Sequence, residues 1–215
     1  MEFIEDNTID IKIDYYFKFM ILGLATTGKT DLTNRLNLYN NFLEYINLQK
    51  NIIPTVGVDF KLLRIKYKNK IIKIQFWDTS GDERFELLVS SYIRGSQAIL
   101  LCYDAYNKDS FNYIKNKYFE AKDQCKNAVF VLIRNKYDLK INKDNKDIVL
   151  NEEALEFANN NNIIFGHVSS FEKYENGIIQ LFELILDKVI YNKNEWKKNI
   201  TDDLKKEYKI DIINY

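Results

Sequence analysis

Residues 23–30 have the spacing of a phosphate-binding loop. They read Gly-Leu-Ala-Thr-Thr-Gly-Lys-Thr, which fits the pattern G-x-x-x-x-G-K-[ST], and they follow an apolar run. Gly23 and Gly28 let backbone N–H groups close around phosphate oxygens, and the helix that follows points its positive end at them. We expect Lys29 to reach the β- and γ-phosphates and the hydroxyl of Thr30 to bind Mg²⁺. The backbone of Ala25, Thr26 and Thr27, between the two glycines, completes the predicted phosphate site.

A D-x-x-G element, Asp-Thr-Ser-Gly, closes a later strand at residues 78–81. The carboxylate of Asp78 can hold the coordination shell of Mg²⁺. At Gly81 the backbone N–H can meet the γ-phosphate because no side chain stands in the way. These two residues extend the predicted site from the phosphate loop to the metal and the γ-phosphate.

An N-K-x-D element, Asn-Lys-Tyr-Asp, closes another strand at residues 135–138. A carboxylate at Asp138 can accept both N–H groups on the edge of guanine, which adenine cannot offer. We expect Asn135 and Lys136 to contribute to the same base site. A phosphate loop alone also occurs in kinases and ATPases. The three elements in this order predict GTP or GDP with Mg²⁺ as the cofactor.

Strand-like and helix-like segments alternate between residues 16 and 191, and each of the three elements follows a strand. Continuous apolar runs are typical of strands that are buried on both faces of a parallel sheet. The pattern predicts an α/β fold with a doubly wound, mostly parallel six-stranded sheet and one antiparallel edge strand. We predict strands at 16–22, 56–67, 71–77, 98–103, 128–133 and 163–168, and helices at 30–38, 110–126, 152–160 and 178–190.

The length of 215 residues suits one domain with short tails. We divide the chain into an N-terminal extension (1–15), a nucleotide-binding domain (16–191) and a charged C-terminal tail (192–215). Apolar residues in the tail recur at every fourth position, which is consistent with one face of a helix; they are Trp196, Ile200, Leu204 and Tyr208. This pattern allows two interpretations, a helix that packs back on the domain or a docking helix for a partner.

Composition narrows the functional class. Lysine and arginine number 31 and balance 31 aspartates and glutamates, so no strong net field attracts nucleic acid or anionic lipid. The two cysteines, Cys102 and Cys125, lack the spacing of metal ligands. We expect neither a signal peptide nor a membrane helix, because no apolar run approaches about 18 residues. These features predict a cytoplasmic protein that binds no nucleic acid.

The three elements resemble those of small GTPases in the Ras superfamily, and the chain looks most like a Rab across residues 16–191. Residues 54–60, Pro-Thr-Val-Gly-Val-Asp-Phe, are similar to the first switch of Rab proteins, and residues 77–85 are similar to the second. The resemblance implies that Thr55 senses the γ-phosphate and Mg²⁺. It also implies the P-loop NTPase fold of a small G domain, GTPase activity, and effector recruitment in vesicle traffic.

The resemblance also assigns residues around the base. Ser170 and Phe171 stand in the base-contacting loop of the family, where the backbone N–H of Ser170 would meet the guanine oxygen. The aromatic ring that stacks on guanine is assigned to Phe42. Tyr39 and Tyr45 remain alternatives because the stretch before the first switch is longer than usual.

Three aromatic residues correspond to those that Rabs present to effectors between their switches, namely Phe60, Trp77 and Tyr92. The same rings can equally serve as ordinary packing residues, since aromatic side chains contribute to cores and interfaces alike. The family further implies an exchange factor and a GTPase-activating protein as partners. We expect the protein itself to be a monomer.

Two residues of the second switch depart from the family pattern. Asp82 stands where most members have the glutamine that orients the attacking water. An ionised carboxylate only accepts hydrogen bonds, is shorter, and repels the charge that develops on the phosphate. We therefore treat Asp82 as an impaired catalytic position, beside the catalytic Lys29 and Thr55. Ser80 replaces the usual alanine, and its hydroxyl has no assigned role.

We find no residue in a sequence context that predicts lipid attachment. Residues 211–215 contain no cysteine for prenylation, and no myristoylation start is present. Membrane association is therefore expected to be indirect, as a peripheral contact with endomembranes. The only histidine, His167, lacks neighbouring ligands in sequence, and we expect it to be structural rather than catalytic.

Two functional hypotheses follow. The first is a GTP/GDP switch with slow intrinsic hydrolysis that recruits effectors in vesicle traffic. The second is a pseudo-GTPase, a binding module that holds GTP and hardly cycles, which Asp82 and the missing lipid site favour. A P-loop kinase would leave the guanine element and Thr55 unexplained.

Overall fold

The computed structural model describes residues 1–3, 12–37, 53–137, 147–168 and 176–194. Within these ranges the chain forms one seven-stranded sheet with helices on both faces. The strands are β1 (Glu2–Phe3), β2 (Tyr15–Leu22), β3 (Val58–Tyr67), β4 (Lys70–Thr79), β5 (Ala98–Asp104), β6 (Val129–Asn135) and β7 (Ile164–Val168). The helices are α1 (Lys29–Asn37), α2 (Glu86–Ile93), α3 (Lys108–Gln124), α4 (Asn151–Asn161) and α5 (Asn176–Asn194), and a 3₁₀ turn at Glu83–Phe85 precedes α2.

The strand order is β1-β3-β4-β2-β5-β6-β7. Strands β4, β2, β5, β6 and β7 are parallel neighbours, and β3 runs antiparallel to both β1 and β4. The predicted fold class, a doubly wound and mostly parallel sheet, is confirmed. All six predicted strands are present, with end points that differ from the prediction by at most two residues.

The strand count differs from the prediction because β1 adds a seventh strand. It lies in the predicted N-terminal extension and pairs Glu2 with Lys66 and Phe3 with Ile65. The antiparallel strand β3 is therefore the second strand of the sheet rather than its edge. Two residues are too few to show an alternating pattern, so local sequence gives no sign of β1.

Each central strand buries both of its faces. In β2, Phe19 and Ile21 pack in a cluster with α1 and α5, whereas Met20 and Leu22 pack in a second cluster with α2, α3 and α4. All four side chains are buried. Burial on both sides explains why the strand sequences are continuous apolar runs.

Helix α2 was not predicted. Its sequence, Glu-Leu-Leu-Val-Ser-Ser-Tyr-Ile, places apolar residues side by side, and Leu87 remains 89% exposed. An apolar stripe at helical spacing is the signal that sequence reasoning needs, and α2 lacks it. Among the helices that the structure describes, none has both the length and the apolar character to cross a bilayer.

Candidate functional site

The phosphate-binding loop lies between β2 and α1, at the carboxyl edge of the sheet. Its backbone enters the left-handed region at Thr26 (φ 66°) and Gly28 (φ 88°). A Cβ atom at Gly23 would lie 2.3 Å from the carbonyl oxygen of Cys102, so only glycine fits there. The amide of Asn135 braces the loop by donating to the carbonyl oxygen of Thr27 at 2.8 Å. The N-K-x-D element thus supports the loop directly from β6.

Lys29 lies inside this loop, with only 3% of the residue exposed. Its ammonium donates to the carbonyl oxygen of Leu24 at 2.7 Å and approaches that of Ser80 at 3.5 Å. Burial lowers the pKa of Lys29, while nearby Asp78 opposes this shift. A buried cation with carbonyl partners suits an anionic oxygen, since a phosphate would offset the cost of burying the charge.

Three oxygen-bearing side chains meet beside Lys29. The hydroxyl oxygens of Thr30 and Thr55 lie 2.8 Å apart, and the Thr55 hydroxyl donates to Oδ2 of Asp78 at 3.3 Å. The side chain of neighbouring Thr79 anchors the end of β4 by donating to the carbonyl oxygen of Ile21. The structure therefore brings together the three residues predicted to bind metal.

The carboxylate of Asp78 fits a cation. The residue is fully buried, and Oδ1 has no hydrogen-bond partner in the part of the chain that the structure describes. Burial raises the pKa of Asp78, against hydrogen bonds from Thr30 and Thr55 and the charges of Lys61 and Lys29. Burying a carboxylate oxygen without a partner costs folding free energy unless a cation binds to it. Oxygen donors are what Mg²⁺ prefers, so these side chains suit that ion.

Gly81 of the D-x-x-G element packs directly on the phosphate loop. Its φ is 73°, and a Cβ atom there would lie 2.2 Å from the carbonyl oxygen of Gly23. The backbone N–H of Ala25 donates to the carbonyl oxygen of Gly81 at 3.1 Å. This close approach ties the D-x-x-G element to the loop, and it excludes any side chain at position 81.

The carboxylate of Asp82 is bound to Arg84, two residues further along the chain. Its carboxylate caps the 3₁₀ turn by accepting from the backbone N–H of Arg84 at 2.9 Å, and it pairs with the guanidinium at 2.6 Å. Hydrogen bonds to Arg84 lower the pKa of Asp82 to about 2, so it is ionised at neutral pH. Ser80, which had no assigned role, accepts a hydrogen bond from the backbone N–H of Asp82 at 3.3 Å. The two departures from the family pattern therefore belong to one local network.

The described part of the N-K-x-D element is tied to β5. Lys136 has a left-handed backbone (φ 61°), and its ammonium lies 2.8 Å from Oδ2 of Asp104. The backbone N–H of Lys136 donates to the side-chain oxygen of Asn135. Sequence reasoning missed Asp104, although its position at the end of a predicted strand was the available signal. The remaining predicted base-site residues lie outside the described residues; they are Asp138, Ser170, Phe171 and Phe42, with its alternatives Tyr39 and Tyr45.

His167 lies on β7 among aromatic rings. Its ring centre is 4.8 Å from that of Phe165 and 5.8 Å from that of Tyr137. Burial and the charge of Arg134 lower the pKa of His167, which favours the neutral imidazole. These contacts are those of a packing residue, as expected. No group of three or more histidine, cysteine or acidic side chains suited to a metal occurs among the residues described.

The three predicted effector aromatics form one continuous group. The rings of Phe60 and Trp77 meet edge to face at 5.4 Å, and Trp77 and Tyr92 are stacked at 4.9 Å. Phe60 is 43% exposed. Lys18, which sequence reasoning missed, places its ammonium 4.9 Å from the Trp77 ring centre and donates to the carbonyl oxygens of Tyr92 and Arg94.

Comparison with known proteins finds Ras-family and Rab-related sequences. The sequence model of the Ras family matches residues 18–191. The chain is 34% identical over 176 residues to the Ras-related protein Rab-1 of Theileria annulata, covering 80% of this chain and 73% of that protein. It is 36% identical over 162 residues to the GTP-binding protein YPT1 of Saccharomyces cerevisiae, covering 74% and 72%. It is 31% identical over 193 residues to the Ras-related protein RABA3 of Arabidopsis thaliana, covering 88% and 77%.

Proposed function

Because the chain belongs to the Ras family, and within it to the Rab small GTPases, we propose that it is a GTP/GDP switch with slow intrinsic hydrolysis that regulates vesicle traffic. The observation that carries this proposal is the meeting of Thr30, Thr55 and the buried, incompletely paired carboxylate of Asp78 beside the phosphate loop. A structural threonine cluster would not need an unpaired buried carboxylate oxygen at its centre.

The phosphates are held by the loop backbone and by Lys29. The loop backbone turns through the left-handed region at Thr26 and Gly28, and the start of α1 adds its positive end. Lys29 exchanges its carbonyl partners for phosphate oxygens. Thr30, Thr55 and Asp78 would hold Mg²⁺. Bound Mg²⁺ would supply electrostatic stabilisation of the phosphate charge.

Guanine is selected on the neighbouring strand ends. The hydrogen bond from Asn135 to Thr27 connects the proposed base site to the phosphate loop. Asp104 fixes the side chain of Lys136. Asp138 accepts the two N–H groups of guanine, and Ser170 meets the guanine oxygen. The aromatic contacts to the base are assigned to Phe42 and Phe171.

Hydrolysis is slow because position 82 cannot orient water as an amide does. The carboxylate of Asp82 is ionised and engaged with Arg84, so it neither donates to the γ-phosphate nor points freely toward a water. Positioning and electrostatics are the main sources of catalysis in phosphoryl transfer. A GTPase-activating protein that brings its own catalytic side chains would restore turnover.

The second candidate function is a pseudo-GTPase that holds GTP and hardly cycles. It is favoured by the Ser80–Asp82–Arg84 network, which gives Asp82 a structural role and removes it from catalysis. The two candidates share the nucleotide site and differ only in turnover. Effectors would meet the Phe60, Trp77 and Tyr92 group, and an exchange factor would act on the same switches. We place the protein, as a monomer, in the cytoplasm and at the periphery of endomembranes.

One experiment tests the proposal and separates the candidates. Nucleotide released from the purified protein is identified by mass spectrometry, and the protein is then loaded with GTP for a single-turnover assay. Guanine nucleotide in near-stoichiometric amount and slow but measurable GDP formation support the switch. Guanine nucleotide without hydrolysis, even with a Rab-directed activating protein, supports the pseudo-GTPase. Adenine nucleotide, or none, contradicts both.

A further inference from the structure

A lysine of α3 is buried against the start of α2. Lys117 exposes only 8% of its surface, and its ammonium contacts the carboxylate of Glu86, the first residue of α2. The same ammonium lies 2.7 Å from Oε2 of Glu120 on its own helix and 5.5 Å from the ring centre of Tyr113. One carboxylate partner therefore belongs to α3 and the other to the helix that follows the second switch.

Burying an ammonium group requires compensation. Burial lowers the pKa of Lys117, but hydrogen bonds to Glu120 and Glu86 outweigh that effect and raise the pKa above its ordinary value. The side chain is therefore charged at neutral pH, and it loses a charged partner if α2 moves away. The pair Lys117–Glu86 joins positions 31 residues apart in sequence, and it is a tertiary contact rather than a feature of one helix.

The contact borders the nucleotide site. Lys117, Glu86 and Tyr113 line a small cleft together with Gly23 of the phosphate loop and Gly81 of the D-x-x-G element. Only the 3₁₀ turn separates Glu86 from Asp82. Any displacement of residues 81–85 relative to the phosphate loop must therefore either carry Glu86 along or be limited by its bond to Lys117.

The other end of α2 is also anchored. Lys18 from β2 donates to the carbonyl oxygen of Arg94 at 3.1 Å and to that of Tyr92. The thiol of Cys125, the residue that follows α3, donates to the carbonyl oxygen of Ile93 at 3.1 Å. Because Lys18 and Cys125 fix the carboxyl end of α2, we expect the helix to move at its Glu86 end, where the contact with Lys117 opposes the movement.

We propose that Lys117 is a positioning residue that acts through Glu86 to hold the start of α2, and so sets how far Gly81 and Asp82 can move from the phosphate loop. This inference rests on the proposed function, because the movement matters only if the loop holds guanine nucleotide. Weakening the contact loosens the second switch, which carries Gly81 against the loop, and thereby speeds nucleotide release.

The test compares three matched substitutions. Glu86→Gln removes the negative charge from the contact between the helices and keeps the side-chain length, and Lys117→Met removes the ammonium group and keeps an unbranched apolar side chain. Glu120→Gln removes the other carboxylate of Lys117 with the same change of charge but leaves α2 untouched. We expect the first two to raise the rate of fluorescent GDP release about fivefold, the scale of one partly buried ion pair. Glu120→Gln should change it by less than about twofold, and Glu86→Gln should add nothing in the Lys117→Met background.

Hydrogen exchange supplies a readout that general destabilisation would not reproduce. In Glu86→Gln and Lys117→Met, the amides of residues 87–93 should exchange faster while those of β5 and α3 keep their protection. Equal effects of Glu86→Gln and Glu120→Gln, additive effects in the double variant, or protection lost throughout the domain would each overturn the proposal. If the purified protein releases no guanine nucleotide, the proposed function fails. In that case the hydrogen exchange of the α2 amides still tests whether Lys117 holds the helix.

Discussion

The phosphate loop with its threonines and Asp78 is held together differently from residues 80–94. In the first region, backbone turns and buried groups make the contacts, such as the bond from Asn135 to Thr27 and the cluster around Asp78. In the second, the contacts include ion pairs in which at least one of the two side chains is exposed. Arg84 is 81% exposed in its pair with Asp82, and Glu86 is 41% exposed in its pair with Lys117.

From this difference we predict that the first region defines the proposed nucleotide site and that the second adjusts it. Buried groups have few alternative arrangements, and removing one leaves a partner unsatisfied in a dry site. Exposed ion pairs are individually weak, because water competes for both charges. Substitutions in the first region should therefore abolish binding or change its specificity, whereas those in the second should alter rates by modest factors.

The largest effect is expected for Thr30→Asn. The metal loses a hydroxyl ligand, and the larger amide meets the hydroxyl of Thr55, 2.8 Å away in the wild type. Affinity for a GTP analogue in Mg²⁺ should fall about 100-fold, or ~2.7 kcal/mol, as measured by titration calorimetry. In EDTA the two proteins should bind with similar affinity. Unchanged affinity in Mg²⁺ would show that Thr30 is not a metal ligand.

Asp138→Asn tests the predicted base site. An amide reverses the donor and acceptor pattern that faces the base edge, so preference should move from GTP toward XTP by about 30-fold. Competition between the two nucleotides for a fluorescent analogue measures the change. Lys136→Gln is the matched control. Lys136 belongs to the same element but pairs with Asp104 of β5, so its substitution should not favour xanthine. An unchanged ratio for Asp138→Asn would remove its assignment.

Asp82→Gln tests the second region. The amide restores the donor that a carboxylate lacks and releases Arg84, so the intrinsic single-turnover rate should rise about tenfold, corresponding to ~1.4 kcal/mol of barrier. Asp82→Asn is the control, because it removes the charge and keeps the shorter reach. We expect it to raise the rate by less than about threefold. Equal rates for all three proteins would show that position 82 does not limit hydrolysis, and the pseudo-GTPase candidate would lose its main support.

The smallest effect concerns pH. The pKa of Asp82 is about 2 in the folded protein, below the ordinary 3.8, so its pairing stabilises the fold above about pH 3.8. That stabilisation disappears as pH falls through about 2. Denaturant unfolding of wild type and Arg84→Gln should show a small difference at pH 6 that vanishes near pH 2. A difference that grows on acidification would contradict the assigned direction.

The residues of the first region could be predicted because their spacing reflects backbone geometry. The turns at Gly23 and Gly28 and the close approach of Gly81 require glycine at fixed positions, and the sequence displays that requirement directly. Lys29 and Thr30 follow from the same spacing. The strands were equally visible, because burial on both faces leaves continuous apolar runs.

The side-chain contacts of the second region could not be predicted. Lys117 and Glu86 are 31 residues apart, and Lys18 meets the carbonyl oxygen of Tyr92 across 74 residues. A lysine on a helix usually has its charge in water, so nothing local distinguishes Lys117 from its exposed neighbours. The bond of Ser80 to Asp82 spans two residues, but it depends on a turn that the sequence motif does not specify.

Strand β1 has a consequence for the order in which the domain assembles. Hairpin β3–β4 joins neighbouring segments, whereas β1 pairs Phe3 with Ile65 across 62 residues for only two registered pairs. The other contacts of residues 1–3, such as the pair between the N-terminal ammonium and Glu183, are also made with distant residues, so a long loop must close before any of them forms. We expect β1 to dock last and to fray first, which would briefly expose β3 to strands of other molecules. Pulse-labelled hydrogen exchange would contradict this if residues 1–3 gained protection before β4.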